Sequence, residues 1–84
     1  MNDQAGMYYV TSPFVGVFHR RPSQDAAPYV GIGDTVARDQ TVCLLEAMKL
    51  MNDIHTDEAG VVTEILAEDG AQVEFGQLLF AIRT

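Results

Sequence analysis

The sequence predicts an all-β domain, a pair of small antiparallel sheets or a flattened β-barrel, and three observations carry that expectation. The chain repeats itself: Gly33-x-x-Val36-x-x-x-Gln40 followed by Thr41-Val42-Cys43-Leu44-Leu45 matches Gly70-x-x-Val73-x-x-x-Gln77 followed by Leu78-Leu79-Phe80-Ala81-Ile82, at an offset of 37 residues. A second pair of anchors, Gly16-Val17 and Gly60-Val61, repeats at an offset of 44. The apolar runs, such as Val61-Val62-Thr63-Glu64-Ile65, are short and β-branched, and Asp34, Asp39, Asp57 and Asp69 with neighbouring glycines mark turns between them. No long helical pattern interrupts the series. Two halves of short strands, about eight in all, close their edges and bury one core as facing sheets.

Taken in order, residues 1–6 read as a disordered tail or linker, and the domain is expected to occupy 7–84. Strand character begins at Met7 with Tyr8-Tyr9-Val10-Thr11, breaks at Ser12-Pro13 and resumes in Phe14-Val15-Gly16-Val17-Phe18. The first half then exceeds the second by seven residues, the difference between the two offsets. These fall within about 19–29, His19 to Tyr29, where two prolines and several small residues favour a protruding, semi-rigid loop over added strand. An insertion that breaks an otherwise good symmetry is read as functional.

The centre of the chain is Glu46-Ala47-Met48-Lys49-Leu50-Met51-Asn52. Arg20, Arg21, Arg38 and Arg83 are the other cations, so Lys49 is the only lysine. Thr41 to Glu46 and Leu50 to Thr56 flank it as extended segments, which leaves room only for a tight turn. Met-Lys is a poor choice for such a turn, since two-residue hairpins place both central residues at positive φ, where bulky side chains cost energy. A disfavoured turn sequence hints at a functional demand. By propensity alone Leu44 to Met51 would also pass as a helix. On the two-fold plan the lysine hairpin joins the halves and lies at the pole opposite the termini. Alternation from Leu50 onward should direct Leu50 or Met51 inward, and Met51 is expected to be the more buried.

With 84 residues the chain makes one domain, in the size range where about 60% of the unfolded surface is buried. A net charge of −7 repels phosphates and anionic membranes, which argues against nucleic-acid and membrane partners. Cys43 is the sole cysteine, sits in an apolar run and is expected in the core. A reducing compartment fits best, so a soluble, cytoplasmic and monomeric domain is expected.

Glu46-Ala47-Met48-Lys49-Leu50-Met51-Asn52 resembles the Glu-Ala-Met-Lys-Met-Met-Asn signature of biotinyl domains, of the biotin/lipoyl attachment family. Ser12-Pro13-Phe14-Val15-Gly16-Val17-Phe18, with Arg21-Pro22-Ser23 and Asp25-Ala26, is similar to the bacterial and plastid biotin carboxyl carrier proteins of acetyl-CoA carboxylase. The resemblance runs from about Tyr8 to Arg83. It implies a barrel-sandwich hybrid, two four-stranded antiparallel sheets with quasi-two-fold symmetry and a protruding thumb loop at the insertion. It also implies covalent biotin on Lys49, attached by biotin ligase, with Glu46, Ala47, Met48 and Leu50 forming the ligase-recognition motif. The carrier itself would catalyse nothing. Biotin would take a carboxyl group at biotin carboxylase and give it up at carboxyltransferase to form malonyl-CoA in fatty acid synthesis, tethering keeping the intermediate at high effective concentration. Arg21, Pro22, Ser23, Asp25 and Ala26 would form the thumb, which in the family folds over the biotin ring. Leu50 replaces a usual methionine at nearly constant volume. Arg21 stands where threonine is common, so the thumb contact is not simply transferred; Arg21 would bind bicarbonate-derived or carboxylate groups or be solvated, and the last is expected.

Other readings are weaker. Cys43, His19 and His55 are of catalytic type but form no motif. His19 and His55 lack zinc-site spacing, and no metal is expected. A lipoyl carrier shares the fold but usually surrounds its lysine with Asp-Lys-Ala. A carrier for another biotin-dependent carboxylase, transcarboxylase or decarboxylase is the remaining alternative.

Overall fold

The computed structural model describes residues 6–84, so the tail expected at 1–6 lies, but for Gly6, outside the described residues. Among the described residues eight strands follow one another: β1 (Met7–Thr11), β2 (Gly16–His19), β3 (Thr35–Val36), β4 (Thr41–Ala47), β5 (Leu50–His55), β6 (Gly60–Ile65), β7 (Gln72–Val73) and β8 (Leu78–Arg83). They form two four-stranded sheets, ordered β1-β8-β6-β3 and β5-β4-β2-β7, with every pairing antiparallel.

The sequence repeat appears in the hydrogen bonds. The Gln40 side chain accepts the Ala37 amide at 2.9 Å, and its mate Gln77 accepts the Glu74 amide at 2.9 Å. Gly33 and Gly70, 37 residues apart, turn the chain at φ of 95° and 88°, in the left-handed region that glycine enters at little cost. At the 44-residue offset, Ser12 and Thr56 are both buried, and each hydroxyl donates to a carbonyl two residues on, Phe14 O at 2.6 Å and Glu58 O at 2.7 Å. These paired bonds satisfy polar groups that would otherwise be costly to bury.

Between the sheets the core is made largely of mates: Val36 with Val73, Val42 with Leu79, Leu45 with Ile82, and Phe18 with Val62. The Phe18 and Phe80 rings meet at 5.8 Å and 54°. Each such apolar side chain contributes about 1.5–3 kcal/mol by leaving water. Tertiary pairing also decides against the helical alternative for residues 44–51, because β4 is bonded on both sides, to β2 and β5, and buries Val42 to Leu45 in succession. Cys43 is fully buried in that run, as expected.

The symmetry places the β4–β5 hairpin where the other half has the paired termini, β8 and β1. The Tyr8 hydroxyl donates to Asp57 at 3.3 Å, beyond the last residue of β5, whereas Lys49 precedes its first. A six-residue strand of about 20 Å separates those two places, so the lysine turn lies at the pole away from the N-terminal strand.

Candidate functional site: the lysine turn

Met48 and Lys49 form the turn between Ala47 and Leu50, which pair across the hairpin. Both adopt positive φ, 53° and 67°, the pattern of a type I′ turn whose twist matches the flanking strands. Each such non-glycine residue costs about 1–2 kcal/mol. The turn therefore holds strain that an Asn-Gly pair would avoid. Met48 is 93% exposed, Lys49 is exposed, and among the described residues Lys49 forms no ion pair. A primary amine on a strained, well-anchored tip with no carboxylate holding it is free to be acylated by an enzyme that supplies a base, and to carry a group outward.

Two concavities flank the tip. One is a groove of about 340 Å³ lined by Phe14, Val15, Ala47, Met48, Leu50 and Asn52. The other, of about 350 Å³, lies under the inserted loop and is lined by residues including His19, Arg21, Pro22, Ser23, Gln24, Met51 and Asp69. Strand parity sets the division. Asn52 and Ile54 are the less exposed residues of β5, and Leu50 shares their side, whereas Met51 shares the outer side with Asp53 and His55. The expectation that Met51 is the more buried of the pair holds, but the inward register assumed for it does not. Met51 is less exposed than Leu50, 49% against 65%, yet it lies on the outer face beside the loop, while Leu50 has the inward parity at the end of the barrel.

The inserted loop lies between β2 and β3, where the resemblance puts a thumb. His19 is the last residue of β2, so the loop proper starts at Arg20, whose carbonyl accepts the Tyr29 amide at 2.8 Å and closes its base. Asp69, on the β6–β7 turn, holds it: Oδ1 accepts the Arg20 amide at 2.8 Å and Oδ2 lies 4.0 Å from Arg21 Nε. Arg21 Nη1 also donates to Ala26 O at 3.4 Å. The expectation of a solvated Arg21 is thus corrected, for its side chain is half-buried between the loop backbone and Asp69. Pro22, Ser23 and Asp25 are exposed along the loop and Ala26 is half-buried.

Three contributors escaped the sequence reading. His19 Nε2 lies 3.0 Å from Glu46 Oε1, a diagonal pair on the outer face of β2 and β4 that requires their register to be seen. The sequence marks Asp69 only as a turn residue. Asn52 Nδ2 donates to Leu45 O at 3.2 Å and Leu50 O at 3.3 Å, bracing the hairpin from within.

Comparison with known proteins bears on this site. A family described as Biotin-requiring enzyme, of the biotin/lipoyl type, matches residues 9–82. A biotin carboxyl carrier protein of acetyl-CoA carboxylase from Nostoc sp. is 49% identical over 88% of this chain and 41% of its own. The protein of the same description from Haemophilus influenzae is 44% identical over 96% of this chain and 52% of its own. The chain thus spans about half or less of the length of these curated relatives. Among solved structures, the Kluyveromyces lactis urea carboxylase superposes with a TM-score of 0.74 at 29% identity, over 90% of this chain and 6% of that one. A single-chain, multi-domain long-chain acyl-CoA carboxylase superposes at 0.75 and 22% identity, over 94% of this chain and 7% of that one, a likeness of fold.

Proposed function

The chain belongs to the biotin/lipoyl attachment family of biotin-requiring enzymes, and on that premise we propose that it is the biotin carboxyl carrier domain, residues 7–84, of a cytoplasmic acetyl-CoA carboxylase. The observation that carries the proposal is the turn itself: the only lysine of the chain, free of ion pairs among the described residues, at a hairpin tip held at positive φ. Relatives 44–49% identical over most of the chain carry the name of that carrier.

Lys49 bears biotin as an amide, which removes the ammonium charge. Bound biotin supplies a ureido nitrogen that takes up and releases a carboxyl group. The chain's own residues hold and present the arm. The β4–β5 pairing and Asn52 fix the turn, Met48 and Leu50 offer apolar surface beside the lysine to biotin ligase, and Glu46 is fixed by His19. No residue of the domain acts on substrate. Carboxylation takes place at biotin carboxylase and transfer at carboxyltransferase, so this domain works by keeping the arm attached between sites. Biotinylated domain combined with these two partners, ATP, bicarbonate and acetyl-CoA should yield malonyl-CoA. Absence of product with acetyl-CoA, but turnover with urea or a longer acyl-CoA and the matching partners, would assign the carrier to another carboxylase, the reading to which the urea carboxylase likeness points.

A further inference from the structure

The two-fold repeat supplies an internal control for one exposed turn. Ala37-Arg38-Asp39-Gln40 and Glu74-Phe75-Gly76-Gln77 stand 37 residues apart and are built alike. In each, the glutamine side chain accepts the amide of the first residue at 2.9 Å. The third residue has positive φ, 70° at Asp39 and 81° at Gly76, and its amide donates at 2.7 Å to the carbonyl of a buried hydroxyl residue, Thr56 or Ser12. The turns part at the second residue, which is Arg38 in one half and Phe75 in the other. Phe75 is 76% accessible, the most exposed aromatic residue of the described chain. A turn that folds equally well around arginine takes no support from a phenyl ring, so the ring at Phe75 points to a contact outside the domain.

Phe75 also lines a concavity of about 390 Å³ that runs between β1 and β5, the edge strands of the two sheets, with Tyr8, Pro13, Asp53, His55 and Asp57. Charge there is one-sided. Asp53 and Asp57 are exposed, neither forms an ion pair among the described residues, and no arginine or lysine among those residues lines the concavity. The Tyr8 hydroxyl donates to Asp57 at 3.3 Å and leaves the carboxylate its charge. An aromatic face beside unpaired carboxylates is complementary to guanidinium groups, which stack on the first and hydrogen-bond to the second. The surface reaches the lysine turn, because β7 leads into the Phe75 turn through Val73, which pairs with Gly16, and a Cβ at Gly16 would lie 3.6 Å from that of Ala47. A partner seated on it has Lys49 at one edge of its footprint and leaves the arm uncovered.

We propose that this concavity docks an arginine-bearing segment of an enzyme that acts on the group at Lys49, one guanidinium lying on the Phe75 ring and a second cation meeting Asp53 and Asp57. The identity of the partner rests on the carrier reading, whereas the preference for a basic segment does not.

Two measurements test it. Amide NMR spectra of the domain are followed during titration with the peptide acetyl-Gly-Arg-Gly-Arg-Gly-amide and with its uncharged citrulline analogue. The arginine peptide should give saturable shifts at Tyr8, Asp57 and Gly76, and the citrulline peptide none. Phe75→Arg, a residue that the mate turn already accommodates, should abolish those shifts while keeping the folded spectrum. Biotinylated domain, checked by intact mass, is then offered to biotin carboxylase and to carboxyltransferase. Phe75→Arg should raise KM at least about fivefold at one of them with kcat little changed. Shifts that are absent, lie elsewhere or are equal for the citrulline peptide, or a KM unchanged at both enzymes, would overturn the docking surface and leave the carrier reading intact. A domain that gains no biotin, in a reaction that modifies a control carrier, would overturn the carrier reading, with the peptide titration still deciding the surface.

Discussion

His19 Nε2 sits 3.0 Å from Glu46 Oε1, and this contact joins β2, from which the thumb departs, to β4, which leads into the lysine turn. Both side chains are partly open to water, 29% and 47% accessible, so the pair orders the outer face more than it stabilises the fold. A double-mutant cycle with His19→Ala and Glu46→Ala, read by urea unfolding, should give a coupling below about 1 kcal/mol. A markedly larger coupling would mean that the pair is part of a wider network.

The turn holds strain that a stability-optimised hairpin would shed. Met48 is almost fully exposed at φ 53°, so Met48→Gly removes a backbone penalty and little packing. Partly offset by the extra freedom glycine gives the unfolded chain, it should raise stability by roughly 0.5–1 kcal/mol, measured as a higher urea midpoint. Lower stability would show that the methionine side chain supports the turn.

Close approach of β6 to β8 is set by a missing side chain. A Cβ at Gly60 would meet the Arg83 carbonyl and lie 2.7 Å from Ile82 Cγ2, and neither can retreat without parting the strands. Gly60→Ala should cost roughly 3 kcal/mol. Gly31→Ala, whose Cβ meets only Asp34 Oδ2 at 3.8 Å, should change stability by less than about 0.5 kcal/mol. Equal effects in thermal unfolding would contradict the register of the β6–β8 pair.

Burial pushes the Cys43 thiol up from 9.0 to about 12. The unfolded chain therefore gives up a proton above pH 9 that the folded chain keeps. This contribution to stability is full below pH 9 and is lost as pH rises toward 12, at up to about 1.4 kcal/mol per pH unit. Tyr8 and Tyr29, raised chiefly by burial and next by Asp57 and Asp53 respectively, act in the same direction. Urea midpoints between pH 8 and 11 should fall with pH, and less steeply in Cys43→Ala. The native thiol should resist alkylation at pH 8.

Much of this was legible because it is local or repeated. The 37-residue offset announced Gly33 and Gly70 at positive φ and the paired Gln40 and Gln77 caps, and the awkward Met-Lys turn announced its own backbone. The burial of Ser12 and Thr56 was within reach as well, since they stand at the 44-residue offset, four residues before Gly16 and Gly60. What escaped depends on register and on contacts between halves. Met51 is the more buried of its pair, as expected, but on the outer face, because alternation alone does not say which parity faces the core and Ile54 decides it. Arg21 was expected in solvent because its partner, Asp69, is 48 residues away in the other half, at a position with no symmetric counterpart of the same kind: the mate of Asp69 is Ile32.

The central claim is that Lys49 is a site of biotin attachment. The most direct measurement is the intact mass of the protein after incubation with biotin, ATP and a biotin ligase, beside Lys49→Ala. The account predicts a gain of one biotinyl group in the wild type and none in the variant. No gain in the wild type, in a reaction that modifies a control carrier, would contradict it, as would an equal gain in Lys49→Ala.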